Sequence, residues 1–553
     1  MATSQAPVDS GPKPQAPHGS NNKQPGKRPF HGHHNKGAKH RRKVKAPEEG
    51  SHEEVLLADI KSLLASTRIA DEGDEAEDGA AESEVTSLPE QGSEIEVEVV
   101  QLSSTGDGLA KQPGSDHIYV VPFSIPGDTV KVRVYRHMTD YGYSAADFIS
   151  VVKPSELRDD SRIKCGYFAK CSGCQFQMLD YAEQLKIKRD IVVKAYRNFS
   201  QLPPELVPDI LDTIGSPLQY GYRTKLTPHF DGPKGNPRRG PKKAHESMPT
   251  FGFTPKGTRN VMDIEDCPIA TDAVRKGLTD ERARLAVEYG NYTKGATILL
   301  RESTKRVPKA SPSDVPDVPE GTPTTALRVD TDTYTDFKTC ITDQNATSTE
   351  YIDSFVFTNP AGAFFQNNNS ILPPFTAYIR SHVLPPPTLS SSKPPIKYLI
   401  DAYSGSGLFT ITQSALFPGG SVGIDIADKS IAFARRNAAL NGLAEAQCRF
   451  IAADAPELFK SVDAYAPDET VVVLDPPRKG CDASFLRQLL KFAPRRVVYV
   501  SCNVHTQARD VGVLVRGVEE GGVRYEIESI RGFDFFPQTG HVEGVAVLNR
   551  VDA

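Results

Sequence analysis

"KYLIDAYSGSGLF", Lys397 to Phe409, is an apolar run that ends in a carboxylate and a Gly-rich turn and then becomes apolar again. A buried strand followed by a tight turn into a helix has this form. The pattern repeats downstream in "GSVGIDIADKSIAFARRNAALNGL" (Gly420–Leu443), "CRFIAADAPELF" (Cys448–Phe459), "TVVVLDPPRKG" (Thr470–Gly480) and "RRVVYVSCN" (Arg495–Asn503). About five apolar strands alternating with helical segments predict a doubly wound, Rossmann-like parallel sheet over residues 355–553. Ligands of such sheets sit beyond the carboxyl ends of the strands, and the polar residues of every segment fall there.

The turn holds Gly405 and Gly407 but no third glycine, since Leu408, Phe409 and Thr410 follow. That argues against a dinucleotide, whose fingerprint uses a third glycine for close helix packing. Asp425 closes the second strand, where a carboxylate can accept both hydroxyls of a ribose. Asp454 closes the third, placed for an adenine amino group. This ordered series resembles the class I S-adenosylmethionine-dependent methyltransferases, which implies S-adenosylmethionine as cofactor.

Asp475 ends the fourth strand in "LDPPR". Methyltransferases of exocyclic amines follow these prolines with an aromatic residue that stacks on the base, whereas this chain has Arg478. Cys502 ends the fifth strand. An isolated strand-end cysteine is ordinarily a small hydrophobe, so its meaning depends on its company. Taken together, "FFQNN", "DAYSGSGLF", "LDPPRKG", "VSCN" and "FPQTGHVE" resemble the RNA uracil-C5 methyltransferase family, from about Glu94 to the C-terminus. The resemblance implies Cys502 as nucleophile and Glu543 as proton acceptor. It also implies that Gln366, Tyr403, Asp425 and Asp475 line the pocket for S-adenosylmethionine and uracil. The chemistry accounts for the thiol: C5 of uracil is a poor nucleophile until a thiolate adds to C6. The target base must also leave its stack for that attack.

An RNA cytosine-C5 methyltransferase is the nearest rival, but it carries a second cysteine directly after the fourth-strand proline. Here Pro477 and Arg478 stand there, and Cys481 comes too late. A catalytically inactive RNA-binding protein is a further alternative, opposed by intact Cys502, Glu543 and Asp475.

Upstream, residues 93–157 alternate with period two between Gly and Pro-Gly turns, which predicts a small antiparallel barrel. Its "STGDGLAK" and "VPFSIPGDTVKVRV" resemble the TRAM domain, an RNA-binding module. Lys131, Arg133, Arg136 and His137, interleaved with Tyr135 and Tyr141, suit phosphate contacts and base stacking. Residues 158–354 are expected to form a central α+β domain with polar, Pro-rich loop insertions.

That domain opens with "CGYFAKCSGCQFQ". Cys165, Cys171 and Cys174 there, with Cys267 in "DIEDCPIA", suit a four-sulfur metal site, either a 4Fe-4S cluster or zinc. This quartet resembles the cluster-bearing branch that methylates ribosomal RNA in bacteria, while eukaryotic members methylate the T-loop uridine of tRNA. The tails and insertions look eukaryotic, which favours tRNA over rRNA as partner.

The remaining residues, 1–92, are expected to be a disordered tail, basic through "KGAKHRRKVK" and then acidic, with one short helical pattern, "HEEVLLADIKSLLAS". The chain of 553 residues carries a net charge of −5 and eight cysteines. It has no apolar run long enough to span a bilayer and no secretory signal, so a reducing intracellular setting, no membrane partner and a monomer are expected. The basic tail is compatible with the nucleus as well as the cytoplasm. No mitochondrial presequence is visible, and the sequence does not decide against that compartment.

Overall fold

Five strands pair in parallel in the order β9-β8-β7-β10-β11, where β7 is Tyr398–Ala402, β8 Gly420–Asp425, β9 Cys448–Ala452, β10 Thr470–Leu474 and β11 Arg496–Ser501. Strand order reverses between β7 and β10, so their carboxyl ends flank the crevice where such sheets bind ligands. β10 and β11 are buried along their whole length, because helices cover both faces of the sheet and leave no wet side. These helices include α5 (Leu408–Gln413), α6 (Asp428–Leu440), α7 (Ala483–Phe492) and α8 (Val504–Arg516).

The sheet then turns antiparallel. β13 (Glu543–Arg550) pairs with β11, β12 (Tyr525–Phe533) with β13, and β6 (Leu211–Ile214) lies parallel to β12 at the edge. β6 and the helix α2 (Tyr181–Phe199) therefore belong structurally to the catalytic sheet, not to a separate central domain as the boundary at 158–354 implies. The reason is burial: Ile191, Val192, Ala195 and Tyr196 of α2 join the core cluster of α7 and α8.

The structure is a computed structural model and describes residues 46–74, 88–236, 240–386, 394–453, 459–462, 464–518 and 521–551. The barrel is closed, in the order β1-β2-β3-β5-β4, from β1 (Glu94–Leu102), β2 (Gly108–Lys111), β3 (Ile118–Val121), β4 (Thr129–Met138) and β5 (Tyr143–Lys153). The central region adds α3 (Asp272–Glu288) and two small four-stranded sheets, and α4 (Leu372–His382) leads into the catalytic sheet. No helix among the described residues is long and apolar enough to cross a membrane.

One expectation about the tail needs correction. "HEEVLLADIKSLLAS" begins a helix, α1 (His52–Asp74), whose Leu56, Leu57 and Ile60 pack on Leu109, Ile118, Val120 and Tyr143 of the barrel. Its apolar residues recur at helical spacing, so one face had to be covered. The basic stretch through Lys45 lies outside the described residues.

Candidate active site

Two turns bring the chemistry to the sheet's carboxyl edge. On the donor side, β7 runs into Tyr403, Gly405 and Gly407, all with positive φ of 65°, 53° and 93°. At Gly407 a Cβ would meet the Phe450 ring at 2.8 Å, so the turn closes only with glycine. Gly405 N donates to Asp425 Oδ2 at 3.0 Å, and Asp425 Oδ1 accepts from Ala427 N at 2.8 Å. Each oxygen keeps further acceptor capacity. Ile426, next along, is 75% exposed and offers an apolar surface beside that carboxylate.

Asp401 was missed by the sequence reading, although a carboxylate inside an apolar strand was the available signal. It is wholly buried and accepts from Thr410 N at 2.9 Å and Thr410 Oγ1 at 2.6 Å, fixing the turn onto α5. Burial first, opposed by these bonds, pushes its carboxyl up to about 7. Tyr403 stands at the turn, but its ring packs on Phe485 at 5.3 Å and its hydroxyl approaches Cys481. Gln366 is buried, and the two residues after it are pinned: Asn367 O accepts from Thr224 N at 2.9 Å, and Asn368 donates to Phe535 O at 3.1 Å. Asp454 lies outside the described residues.

On the acceptor side, Asp475 N donates to Ala402 O at 3.3 Å, which ties the Asp-Pro-Pro turn to the end of β7. Arg478 O accepts from Asn503 Nδ2 at 2.9 Å and Thr506 Oγ1 at 3.1 Å, lacing this turn to the loop that carries Cys502. Asn503 caps α8, so the thiol sits between the end of β11 and a helix start. Glu543 begins β13, and the next residue, Gly544, pairs with Ser501 beside Cys502. Gln507 Nε2 donates to both Tyr499 O (2.7 Å) and Gly544 O (3.0 Å), holding the two strands under the site at once.

Cys502, Glu543, Asp475 and Arg478 form one electrostatic cluster. The Cys502 thiol is pushed up to about 12 by burial and then by the Glu543 and Asp475 carboxylates, while Arg478 opposes through its charge and a hydrogen bond. Burial, followed by Asp475, holds Glu543 well above the usual carboxylate range, again against Arg478. Asp475 is raised to about 7 by burial and Asp401. The cavity above Cys502 measures about 310 Å³ and is walled in part by Arg478, His541 and Ser104 of the barrel. Its size lies at the lower end of the ~300–1,000 Å³ usual for ligand sites. Cys481 takes no part: it is buried in the core under Tyr499, 3.6 Å from that hydroxyl.

A relative from Schizosaccharomyces pombe, a tRNA (uracil(54)-C(5))-methyltransferase, is 43% identical over an alignment spanning 92% of this chain and 86% of that protein. The chain belongs to the tRNA (uracil-5-)-methyltransferase family. A Saccharomyces cerevisiae enzyme of the same description is 40% identical, over 82% of this chain and 73% of that one. The profile described as tRNA (Uracil-5-)-methyltransferase matches residues 348–551, and that of the TRAM domain residues 89–145. The crystal structure of Pyrococcus abyssi tRNA (uracil-54, C5)-methyltransferase in complex with S-adenosyl-L-homocysteine shares the fold. Its TM-score is 0.55 at 24% identity, covering 82% of this chain and all of that one.

Within this family member the barrel surface divides. Lys131 and Arg133 both pair with Glu94, at 2.8 and 2.7 Å, while Tyr135 and Arg136 remain exposed. His137 is engaged by Ser144 Oγ at 2.7 Å, and Tyr141 packs with α1.

The cysteine quartet does gather. Cys174 and Cys267 are pushed up to about 12, burial first, and each also feels the thiols of Cys165 and Cys171. Among the described residues, however, no three His, Cys, Asp or Glu side chains stand in a metal-holding arrangement. The four sulfurs expected from spacing to share a site thus lie near one another without such a preformed arrangement.

Proposed function

We propose that this chain transfers a methyl group from S-adenosylmethionine to C5 of uridine in RNA, specifically uridine 54 in the T-loop of tRNA. The observation that carries the reading is the clustering of Cys502, Glu543, Asp475 and Arg478, with Cys502 and Arg478 lining the cavity. The donor crevice fits the cofactor, because the Gly405 turn is open where a Cβ would meet nothing within 4 Å and Asp425 lies beside it. Asp425 would accept from the ribose of S-adenosylmethionine held there, and the cofactor would supply an electrophilic methyl group.

The protein's own residues do the rest. Arg478 stabilises the Cys502 thiolate as the thiol loses its proton to solvent water. Sγ then bonds C6 of the everted uracil, and the C5–C6 electron pair moves toward O4, leaving C5 nucleophilic. After C5 has gained the methyl group, Glu543 takes the C5 proton. The C–H pair reforms the C5–C6 double bond, and the Cys502 thiolate leaves. A carboxylate whose burial favours the protonated form is well suited to keep that proton. With Cys481 buried under Tyr499, the second cysteine required for cytosine chemistry is missing from the cavity wall.

For the quartet Cys165, Cys171, Cys174 and Cys267 we propose an iron–sulfur cluster, supported by the all-sulfur donor set and the mutual proximity of the thiols. The function is tested by incubating the purified chain with an unmodified tRNA transcript and labelled S-adenosylmethionine. 5-Methyluridine at position 54 supports the reading, and its absence, or label on cytosine, overturns it.

A further inference from the structure

The catalytic cavity has a wall that the reaction just described does not use. It is built by the start of α1, through Gly50, His52 and Val55, and by His505 of α8. Neither Gly405, Gly407 nor Asp425 of the donor crevice contributes to this cavity, so its free space belongs to the acceptor.

The wall is built rather than leaning. Gly50 O accepts from Asn503 Nδ2 at 3.1 Å, beside the nucleophile. Gly50 has φ +69°, and a Cβ there would lie 2.3 Å from Thr506 Cγ2, so the chain approaches α8 as closely as only glycine permits. Glu49 pairs with Arg509 at 2.9 Å. Two turns into the helix, Asp59 accepts from the barrel's Ser104 N at 2.6 Å, and Leu56, Leu57 and Ile60 are buried against the barrel. Within this anchored turn the His52 side chain remains exposed to the cavity.

Two features show what the wall would meet. Lys256, held by Asp107, and Arg478 place cationic hydrogen-bond donors on the same cavity, which an acceptor-rich ligand would meet. His505 is only 8% exposed, and its Nε2 has no hydrogen-bond partner while Nδ1 lies 3.3 Å from Asn503 Oδ1. A buried polar atom without a partner is costly unless a ligand changes its surroundings.

We infer that His52 is a substrate-contacting residue, donating a hydrogen bond to a backbone phosphate of the RNA next to the everted uridine, so that α1 forms part of the acceptor site. The inference rests on the RNA-methylating function proposed above. α1 thus joins barrel and sheet into one RNA-binding surface. Phosphate contacts of this kind fix register without reading sequence.

The test uses the full chain with tRNA transcripts. His52→Ala should raise KM for tRNA about ten- to hundredfold, as loss of one hydrogen bond to a charged group does. kcat at saturating tRNA and the affinity for S-adenosylmethionine should stay within about twofold of wild type. His52→Arg should restore KM and His52→Leu should not, whereas a residue that only packs α1 would show the reverse. Replacing each phosphate flanking uridine 54 in turn with a neutral methylphosphonate should weaken wild type at one position and leave His52→Ala indifferent there. An unchanged KM in His52→Ala, rescue by Leu, or equal sensitivity to methylphosphonate in both proteins overturns the contact. If wild type itself forms no 5-methyluridine, the broader reading fails instead, and the two failures are told apart in the same assay.

Discussion

Lys188 donates to Asp534 Oδ1 at 2.5 Å with both side chains wholly buried, and its remaining donors reach Phe536 O (2.9 Å) and His541 O (2.8 Å). One ammonium on α2 therefore holds both ends of the Pro-Gln-Thr-Gly turn that leads to Glu543. Tyr181 OH also donates to Asp534 Oδ2, at 2.9 Å, so the carboxylate is gripped twice by the same helix.

Removing one partner of this pair leaves a buried charge without compensation. Lys188→Met should cost about 3–5 kcal/mol of stability, and the double variant Lys188→Met/Asp534→Leu should cost less than the single one. Chemical denaturation of wild type, both single variants and the double variant measures both. A double variant as unstable as the sum of its parts would mean that the pair does not act as a unit.

The resting thiol offers a second test. With Cys502 pushed up to about 12, its alkylation in RNA-free enzyme should rise about tenfold per pH unit across pH 7–10, because only the thiolate reacts. Arg478→Ala removes the opposing charge, so the same peptide should label more slowly at every pH. Peptide mass spectrometry after timed alkylation reads this. A rate that is already level at pH 8 contradicts the charge environment described for the site.

Asp401 makes stability depend on pH in a fixed direction. Its folded-state value of about 7 lies above the ordinary 3.8, so the fold favours its protonated form. Below pH 4 both states are protonated and nothing is lost. As pH rises from 4 to 7 the unfolded chain gains by ionising, and wild type loses stability relative to Asp401→Asn by about 1.4 kcal/mol per pH unit, levelling off above 7. Denaturation of both proteins at pH 5.5 and 7.5 checks the sign, and parallel curves would refute it.

Much of this site was legible because strand ends are marked in sequence by their own chemistry. Asp425, Asp475 and Cys502 each end an apolar run, and the register of β13 against β11 brings Glu543 beside Cys502. What was not legible depended on pairings across long stretches of chain. β6 lies more than three hundred residues from its partner β12, and no local pattern announces that contact. α1 showed its helical period, but its docking depends on the barrel's Leu109 and Tyr143, so an acidic neighbourhood concealed a structural element. Asp401 was overlooked because a buried carboxylate resembles the end of its strand until Thr410 is seen donating to it twice.

The cysteine quartet is tested by metal content. Anaerobically purified protein should be brown, with about four irons per chain, and Cys174→Ser should lose both colour and iron. Colourless wild-type protein with stoichiometric zinc, or with no metal, contradicts the cluster.

The central claim is that Cys502 and Glu543 act on opposite sides of one covalent intermediate. It is tested most directly by denaturing gel electrophoresis of enzyme mixed with tRNA and labelled S-adenosylmethionine. Glu543→Gln should accumulate an enzyme–RNA adduct carrying one transferred methyl group per RNA, because the thiol adds and C5 is methylated but the C5 proton cannot leave. Cys502→Ala should give neither adduct nor 5-methyluridine. Normal turnover by Glu543→Gln, or C5 methylation by Cys502→Ala, would contradict the account.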